Sequence, residues 1–185
     1  MNIKTVLIGG ALIGMTTGCV TQPGDDCSSN EARESLVKYL KEEGGVKKIL
    51  KLGYMNETEA RQMMERINYS FDTVGSTKKE DNNVLKCKGK FVVEPKPDLQ
   101  AELAKVAEEQ SIKGTMMKDY GFKGIAERSG YLPAGDNKAT FMVDFEVTRN
   151  KAGKIVAEAD WENTGYFADF MANIAESLTH ARRED

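Results

Sequence analysis

The chain has 185 residues, 30% of them charged, and its 29 acidic residues outnumber the 26 basic ones, giving a formal net charge of −3. This length is that of one ordinary domain with a sizeable core. The mild acidity argues against nucleic acid as a partner, because binding phosphates requires a basic surface.

The N-terminal segment has the composition of a targeting signal. Lys4 is its only charged residue, and an apolar run follows at Val6–Met15. The run is too short to cross a bilayer as a helix, which takes about 20 residues. It matches the apolar core of a secretory signal, so we interpret 1–18 as a signal peptide.

The end of this segment, Thr16–Cys19, resembles the lipobox of bacterial lipoproteins. Gly18 and Cys19 match that motif, whereas Thr16 stands where a bulky aliphatic residue is usual. The resemblance implies that Cys19 is lipidated and becomes the new N-terminus. Because Val20 follows instead of Asp, it also implies a location at the outer membrane, facing the periplasm. The alternatives are an ordinary secretory signal, giving a secreted or surface protein, and a short buried apolar segment.

The chain contains three cysteines, an odd number that the lipobox accounts for. If Cys19 carries lipid, Cys27 and Cys87 remain as a pair, and such a pair tends to form a disulfide in an oxidising compartment. The alternative is two free thiols, one of them buried as a small apolar group. No Cys-x-x-Cys spacing occurs and there is one histidine. We therefore expect no metal site and no cofactor.

The rest of the chain reads as a short polar tether, 19–27 with the lipidated cysteine included, and a single α+β domain at 28–185. Apolar spacing predicts helices in that domain. They cover 28–43, ending at Gly44-Gly45; 46–52; 56–66, capped by Asn56 and Glu59; 98–110; and a last helix capped by Thr164 and running to about His180.

Alternating apolar and polar residues predict a first β-hairpin. Its strands are 67–73 and 85–93, joined by the polar run 76–83. Placing the inward residues opposite each other pairs Phe71 with Cys87 and Tyr69 with Gly89. Cys87 then points into the core, where a disulfide to Cys27 needs it.

A second hairpin has strands at 141–147 and 155–161, with a turn at 150–153. Its predicted pairs are Phe145 with Ala157 and Phe141 with Trp161. We expect the two hairpins to form one antiparallel sheet with helices packed on one face. The glycine-rich stretch 111–137 is expected to contain an irregular helix or strand, the alternative being a mobile functional loop.

The outward residues of the hairpins form two charged rows, which are candidate surface contacts. The basic row is Lys86, Lys88 and Lys90, and the acidic row is Asp144, Glu146, Glu158 and Asp160. Asp144 would face Glu158 across the strands. The favoured interpretation is that the rows are neighbours that pair in solvent and select the strand register. The alternative is a docking surface for a partner or, for the lysines, for anionic lipid headgroups.

No catalytic motif is present. The single histidine, His180, lies near the C-terminus, and no phosphate-binding loop, dinucleotide fingerprint or zinc-protease motif occurs. We therefore expect a lipid-anchored envelope protein that acts by binding or scaffolding an envelope protein and is not an enzyme. The alternatives are a small-ligand or inhibitor module with a pocket near Trp161, Tyr166 and Phe167, and an enzyme with a carboxylate-only site.

The body of the chain resembles small bacterial envelope proteins of uncharacterised function, in which a leading helix with a cysteine is bridged to a cysteine in a strand. The matching segments are Cys27 with 28–40, Lys86-Cys87-Lys88, and the 141–161 hairpin. They span roughly half of the mature chain, and the resemblance implies no activity.

Overall fold

The computed structural model describes residues 25–79, 84–112, 121–135 and 137–183. The predicted signal peptide, the lipidation site Cys19 and most of the tether lie outside these residues. In chain order the elements are α1 (Asp25–Ser28), α2 (Asn30–Tyr39), a π-helical segment (Leu40–Val46), α3 (Lys47–Leu52), α4 (Glu57–Glu65), β1 (Ile67–Lys79), β2 (Leu85–Pro95), α5 (Pro97–Ile112), α6 (Phe122–Arg128), β3 (Leu132–Pro133), β4 (Ala139–Arg149), β5 (Ile155–Ala159) and α7 (Trp161–Arg183).

The described strands form one five-stranded antiparallel sheet in the order β1-β2-β4. The far side of β4 is shared, because β3 pairs with its first residues and β5 with its last ones. This arrangement confirms the predicted α+β class with two hairpins. The stretch 111–137 contains the short helix α6 and the short strand β3, which fits the expectation of an irregular helix or strand there.

Alternate residues of the sheet are buried, which shows that helices cover one face. Along β2 the side chains of Cys87, Phe91 and Val93 are buried, whereas Lys86, Lys88 and Lys90 are exposed. The buried side packs against the inward residues of β4 and against α7, whose Phe167, Phe170, Met171, Ile174 and Leu178 have no exposed surface. The opposite face of the sheet is open to solvent.

The register of the first hairpin differs from the prediction. Phe71 lies opposite Phe91, not Cys87, and Tyr69 lies opposite Val93, not Gly89. The reason is that β1 continues to Lys79 through the polar run, with irregularities at Thr73/Gly75 and Ser76/Lys78. A ring does cover Gly89, but it is that of Phe71: a Cβ on Gly89 would overlap this ring and lie 2.9 Å from the carbonyl oxygen of Asp72.

The second hairpin is shifted by two residues. Phe145 pairs with Ala159, and Ala157 pairs with Val147. The turn is longer than predicted because the Asn150 side chain accepts hydrogen bonds from the amides of Ala152 and Lys154, each at 3.0 Å. Since the shift is even, the residues within β4 and β5 keep their predicted faces.

The predictions for the start of the last helix are also wrong. Trp161 belongs to α7 and has no strand partner opposite Phe141. The cap is Asp160 and not Thr164, because the Asp160 carboxylate accepts a hydrogen bond from the amide of Asn163 at 2.7 Å. The Thr164 hydroxyl instead donates to the carbonyl of Asp160 at 2.7 Å.

The first helix does not end at Gly44-Gly45. The chain stays helical from α2 through the π-helical segment into α3 and ends only at Gly53, which has a φ of 70°. Both glycines are buried contact points: a Cβ on Gly44 would lie 2.8 Å from the Phe167 ring, and one on Gly45 would overlap the Met64 side chain. Their role is close packing of the helix against α7 and α4, which composition alone does not distinguish from a helix stop.

A disulfide joins Cys27 to Cys87 with a Cα–Cα distance of 6.0 Å, which confirms the predicted bridge. It fastens the start of the helical region to β2, which is paired on both sides. An ion pair between Asp26 and Arg149 at 2.6 Å adds a second contact at the same end of the domain. The predicted capping box of Asn56 and Glu59 is confirmed on α4.

None of the described helices is long and apolar enough to cross a membrane.

Candidate binding site

An open groove with a volume of about 670 Å³ runs between α2 and β1, and we call it the α2–β1 groove. Its helical wall consists of α2 and the start of the π-helical segment. Its other wall is β1 at Tyr69–Asp72, and Glu65 at the end of α4 lies beside it. Tyr69 and Phe71 point inward whereas Ser70 and Asp72 are exposed. A groove that touches all four residues therefore runs along the edge of the strand.

The apolar stripe of α2 determines which residues form the helical wall. Ala32, Leu36 and Leu40 are fully buried and hold the helix on the core. The residues one position later, Arg33, Val37 and Lys41, are partly buried and line the groove. Each later residue is rotated by about 100° around the helix, so this second row points beside the core towards β1. Exposed Glu34 and Lys38 form the rim.

α2 closes the edge of β5 at the same time. The Glu31 carboxylate accepts a hydrogen bond from the amide of Ile155 at 3.1 Å, and the Ser35 hydroxyl oxygen accepts one from the amide of Ala157 at 2.9 Å. Within the described ranges, no side chain makes such a bond to the backbone of β1 at Tyr69–Asp72. The helix thus lies between two strand edges and seals one of them.

Arg33 is a partly buried cation of the groove that the described residues leave unpaired. Its guanidinium makes no hydrogen bond or ion pair with any described residue, and its Nε atom is buried without a hydrogen-bond partner. A buried donor without an acceptor is unfavourable, and far more so when it is part of a charged group. The groove therefore offers an unsatisfied donor to an anionic group.

The opposite end of the groove is electrostatically satisfied. Lys41 forms an ion pair with Glu65, and its Nζ atom lies 5.6 Å from the centre of the Tyr69 ring. The Lys41 ammonium lowers the pKa of the Glu65 carboxyl. Burial raises the pKa of the Tyr69 phenol well above its usual range, and the Glu65 charge raises it further. The Tyr69 hydroxyl donates to the carbonyl of Met64 at 3.3 Å, so this end is already partnered.

The predicted charged rows do lie side by side on the outward face of the sheet. Lys86 is opposite Glu146, and Lys88 is opposite Asp144. The Lys88 ammonium lies 3.5 Å from the Asp144 carboxylate. The predicted pairing of Asp144 with Glu158 is wrong, since the two-residue shift puts Glu146 opposite Glu158. Asp160 caps α7 rather than joining the row. This geometry fits cross-strand pairing in solvent, where each pair contributes little.

The three aromatic residues of the predicted pocket do not line one cavity. Phe167 is fully buried in the core, whereas Trp161 is 85% exposed, so the two do not share a cavity. Tyr166 instead borders a smaller cleft of about 220 Å³ together with Leu132 and Met142.

Among the residues that the structure describes, no group of three or more histidine, cysteine or acidic side chains could hold a metal ion. His180 lies in the last turns of α7 and borders a small cleft together with Leu52 and Tyr54.

The groove residues Arg33, Lys41 and Tyr69 were not predicted as a site from the sequence. A signal for them exists, because Val37 widens the apolar stripe of α2 by one position and is flanked one turn away by Arg33 and Lys41. That pattern shows a second, half-buried face of the helix. It does not show which strand lies opposite.

Comparisons of the chain with protein-family models, with curated proteins and with solved structures found no match. The functional argument therefore rests on the geometry of the groove.

Proposed function

We propose that this chain is a lipid-anchored protein of the bacterial cell envelope that acts by binding a partner in the α2–β1 groove and carries out no chemistry of its own. The observation that carries the binding role is the Arg33 guanidinium, a cation beside an open groove with no partner among the described residues. Buried polar groups in native proteins nearly always have a hydrogen-bond partner, so an orphaned donor beside an open groove supports binding of an acceptor there.

The envelope location is supported by the disulfide between Cys27 and Cys87, because disulfides persist in oxidising compartments. The signal-like pattern at 1–18 and the lipobox-like Cys19 agree with it. Intact mass measurement on membrane-derived protein tests this part. We expect a mass that begins at lipidated Cys19, with two further thiols that react with an alkylating reagent only after reduction. A mass that retains Met1 with three reactive thiols contradicts the location.

Site-specific crosslinking in cells tests the binding role. A photoreactive amino acid is placed at Lys38 or Ser70, one on each wall of the groove, and at Ala104, an exposed position on α5. We expect a discrete crosslinked product from both groove positions and none from the control. Equal products from all three positions, or none from the groove, contradict a binding role for the groove.

A second candidate function is a small-ligand module, because about 670 Å³ lies within the roughly 300–1,000 Å³ of known small-molecule sites. The open strand edge along the groove favours a macromolecular partner instead. A crosslinked product of unchanged apparent mass at Lys38 and Ser70, with a small adduct found by mass spectrometry, would favour this candidate.

A further inference from the structure

The chemistry of the groove also indicates what kind of partner it takes, an inference that rests on the proposed binding function. β1 is the terminal strand of the sheet, and its residues from Ile67 to Thr73 pair without interruption with Pro95 to Gly89 of β2. In such an edge strand, every second residue directs its N–H and C=O away from the sheet. The irregular part of β1 begins only after Thr73. The regular edge therefore coincides with the groove at Tyr69–Asp72.

Among the residues that the structure describes, nothing closes this edge, whereas the edge of β5 is closed. On β5, amide groups are bonded by Glu31 and Ser35 of α2. On β1, the described residues provide no equivalent side chain between Tyr69 and Asp72. Unpaired, regular strand edges bind added strands, with backbone hydrogen bonds supplying affinity.

The dimensions of the two walls match an extended segment. Arg33 and Lys41 are eight positions apart along the helix, which corresponds to about 12 Å. The three steps from Tyr69 to Asp72 correspond to about 10 Å along a strand. Val37 lies midway along the helical wall and offers an apolar contact to a side chain in the centre of the groove.

The charges restrict where an acidic group can bind. Lys41 is paired with Glu65, so its ammonium is not available to a ligand, and Lys38 lies exposed at the rim, where solvent screens its charge. Arg33 is the partly buried groove cation to which the described residues offer no partner. Exposed Glu34 and Asp72 at the rim disfavour a ligand with many negative charges. The groove thus suits a segment with one carboxylate at one position.

From these observations we infer that the α2–β1 groove binds an extended peptide segment, which adds as a strand to the free edge of β1 and places a single carboxylate against Arg33. The guanidinium can bind a carboxylate through two parallel hydrogen bonds, which gives both strength and a fixed position. The backbone pairing fixes the direction of the segment, and the carboxylate fixes its register.

Selection of peptides on the purified mature chain tests this inference. The probe is a display library of random seven-residue peptides, with the most enriched peptide then synthesised for affinity measurements. We expect enriched peptides to share one Asp or Glu at a fixed position. We expect Arg33→Gln to weaken binding at least about tenfold, as loss of a charge-assisted bond requires. Lys105→Gln, an exposed change on α5, should leave binding within about twofold.

A second measurement tests the inference on the unaltered protein. Replacing the shared acid of the peptide by its amide should weaken binding to the unaltered protein at least about tenfold. This result does not depend on whether the Arg33→Gln variant folds. N-methylation of alternate peptide amides should abolish binding when it removes the bonds to β1. Enriched peptides without a shared acid, or binding that tolerates N-methylation at every position, would overturn the inference.

The outcome is separable from that of the proposed function. Crosslinked products at Lys38 and Ser70 in cells, combined with no acidic preference in the selected peptides, overturn the extended acidic segment and leave the groove as a binding site. The absence of groove crosslinks overturns both.

Discussion

Helix α2 lies beside two outer edges of the sheet, those of β5 and β1, and forms hydrogen bonds to the first of them. At β5, α2 supplies Glu31 and Ser35 to the strand amides, so the edge is finished within the chain. At β1, the same helix stands away and leaves a groove of about 670 Å³. Since an exposed regular edge invites unwanted pairing, leaving one open has a cost that a binding role explains. The open edge is therefore a local feature of β1, because the same helix closes the edge of β5.

The difference between the edges depends on where the helix is held. The bridge from Cys27 to Cys87 fixes its start, and the glycine contacts of the π-helical segment fix its far end. Both attachments lie outside the groove, one before α2 and one after it. The groove is therefore a property of the fixed ends as much as of its own lining.

The largest expected effect comes from removing the bridge with Cys27→Ser and Cys87→Ser together. A sequence separation of 60 residues predicts a loss of about 4 kcal/mol in the free energy of unfolding. Urea denaturation measures it. Hydrogen exchange should accelerate in α2 more than in α3, because only the first is held by the bridge. Equal acceleration in both helices would show that the bridge does not position the groove.

Opening the sealed edge should have the next largest effect. Ser35→Ala leaves the amide of Ala157 without its acceptor, which should lower the free energy of unfolding by about 1–3 kcal/mol. The matched change Ser70→Ala, on the open edge, should stay within about 0.5 kcal/mol because Ser70 is exposed and unbonded. Thermal unfolding of the two variants measures the difference. Equal losses would mean that the two edges do not differ as described.

Removing the unpaired cation should not destabilise the protein. Arg33→Met keeps an apolar stem and eliminates a buried donor without an acceptor, so the free energy of unfolding should be unchanged or higher by about 1 kcal/mol. Arg66→Met is the control, because Arg66 is paired with Asp98 and Glu102 and its loss should be destabilising. Denaturation midpoints of the two variants and the unaltered protein, measured in parallel, test this prediction. A clear loss for Arg33→Met would indicate a structural role for this residue.

The smallest expected effect concerns the satisfied end of the groove. Because Lys41 lowers the pKa of Glu65 in the folded state, the pair stabilises above the unfolded-state pKa of about 4.3 and this contribution is lost as the pH falls through the folded pKa. Glu65→Gln should cost at most about 0.5 kcal/mol at pH 7, since Glu65 is largely exposed. The difference from the unaltered protein should vanish in acid. A cost that persists there has another cause.

The faces of the strands could be predicted from the sequence, and their partners could not. Phe71 and Phe145 point inward as expected, because alternation depends only on local order. Their partners are four and two residues away from those predicted, since register depends on turn length. The hydrogen bonds of the Asn150 side chain lengthen one turn, and the alternation of apolar and polar residues does not reveal them.

The groove was harder to predict than the core for a related reason. Ala32, Leu36 and Leu40 reveal the buried stripe of α2 through their spacing alone. The significance of Arg33 depends on what is missing around it, and that requires the three-dimensional neighbours. Gly44-Gly45 is a further example. The sequence alone predicts that a helix ends there, whereas the structure shows a close contact with neighbouring helices.

The bridge between Cys27 and Cys87 also defines how the domain resists a mechanical pull. Tension that arrives at Cys27 from the preceding chain divides between the backbone of Ser28 and the bond to β2. β2 is hydrogen-bonded to a neighbour along both sides, so part of the load passes into the sheet. The helix that forms the groove therefore carries only part of a pull on the chain before Cys27.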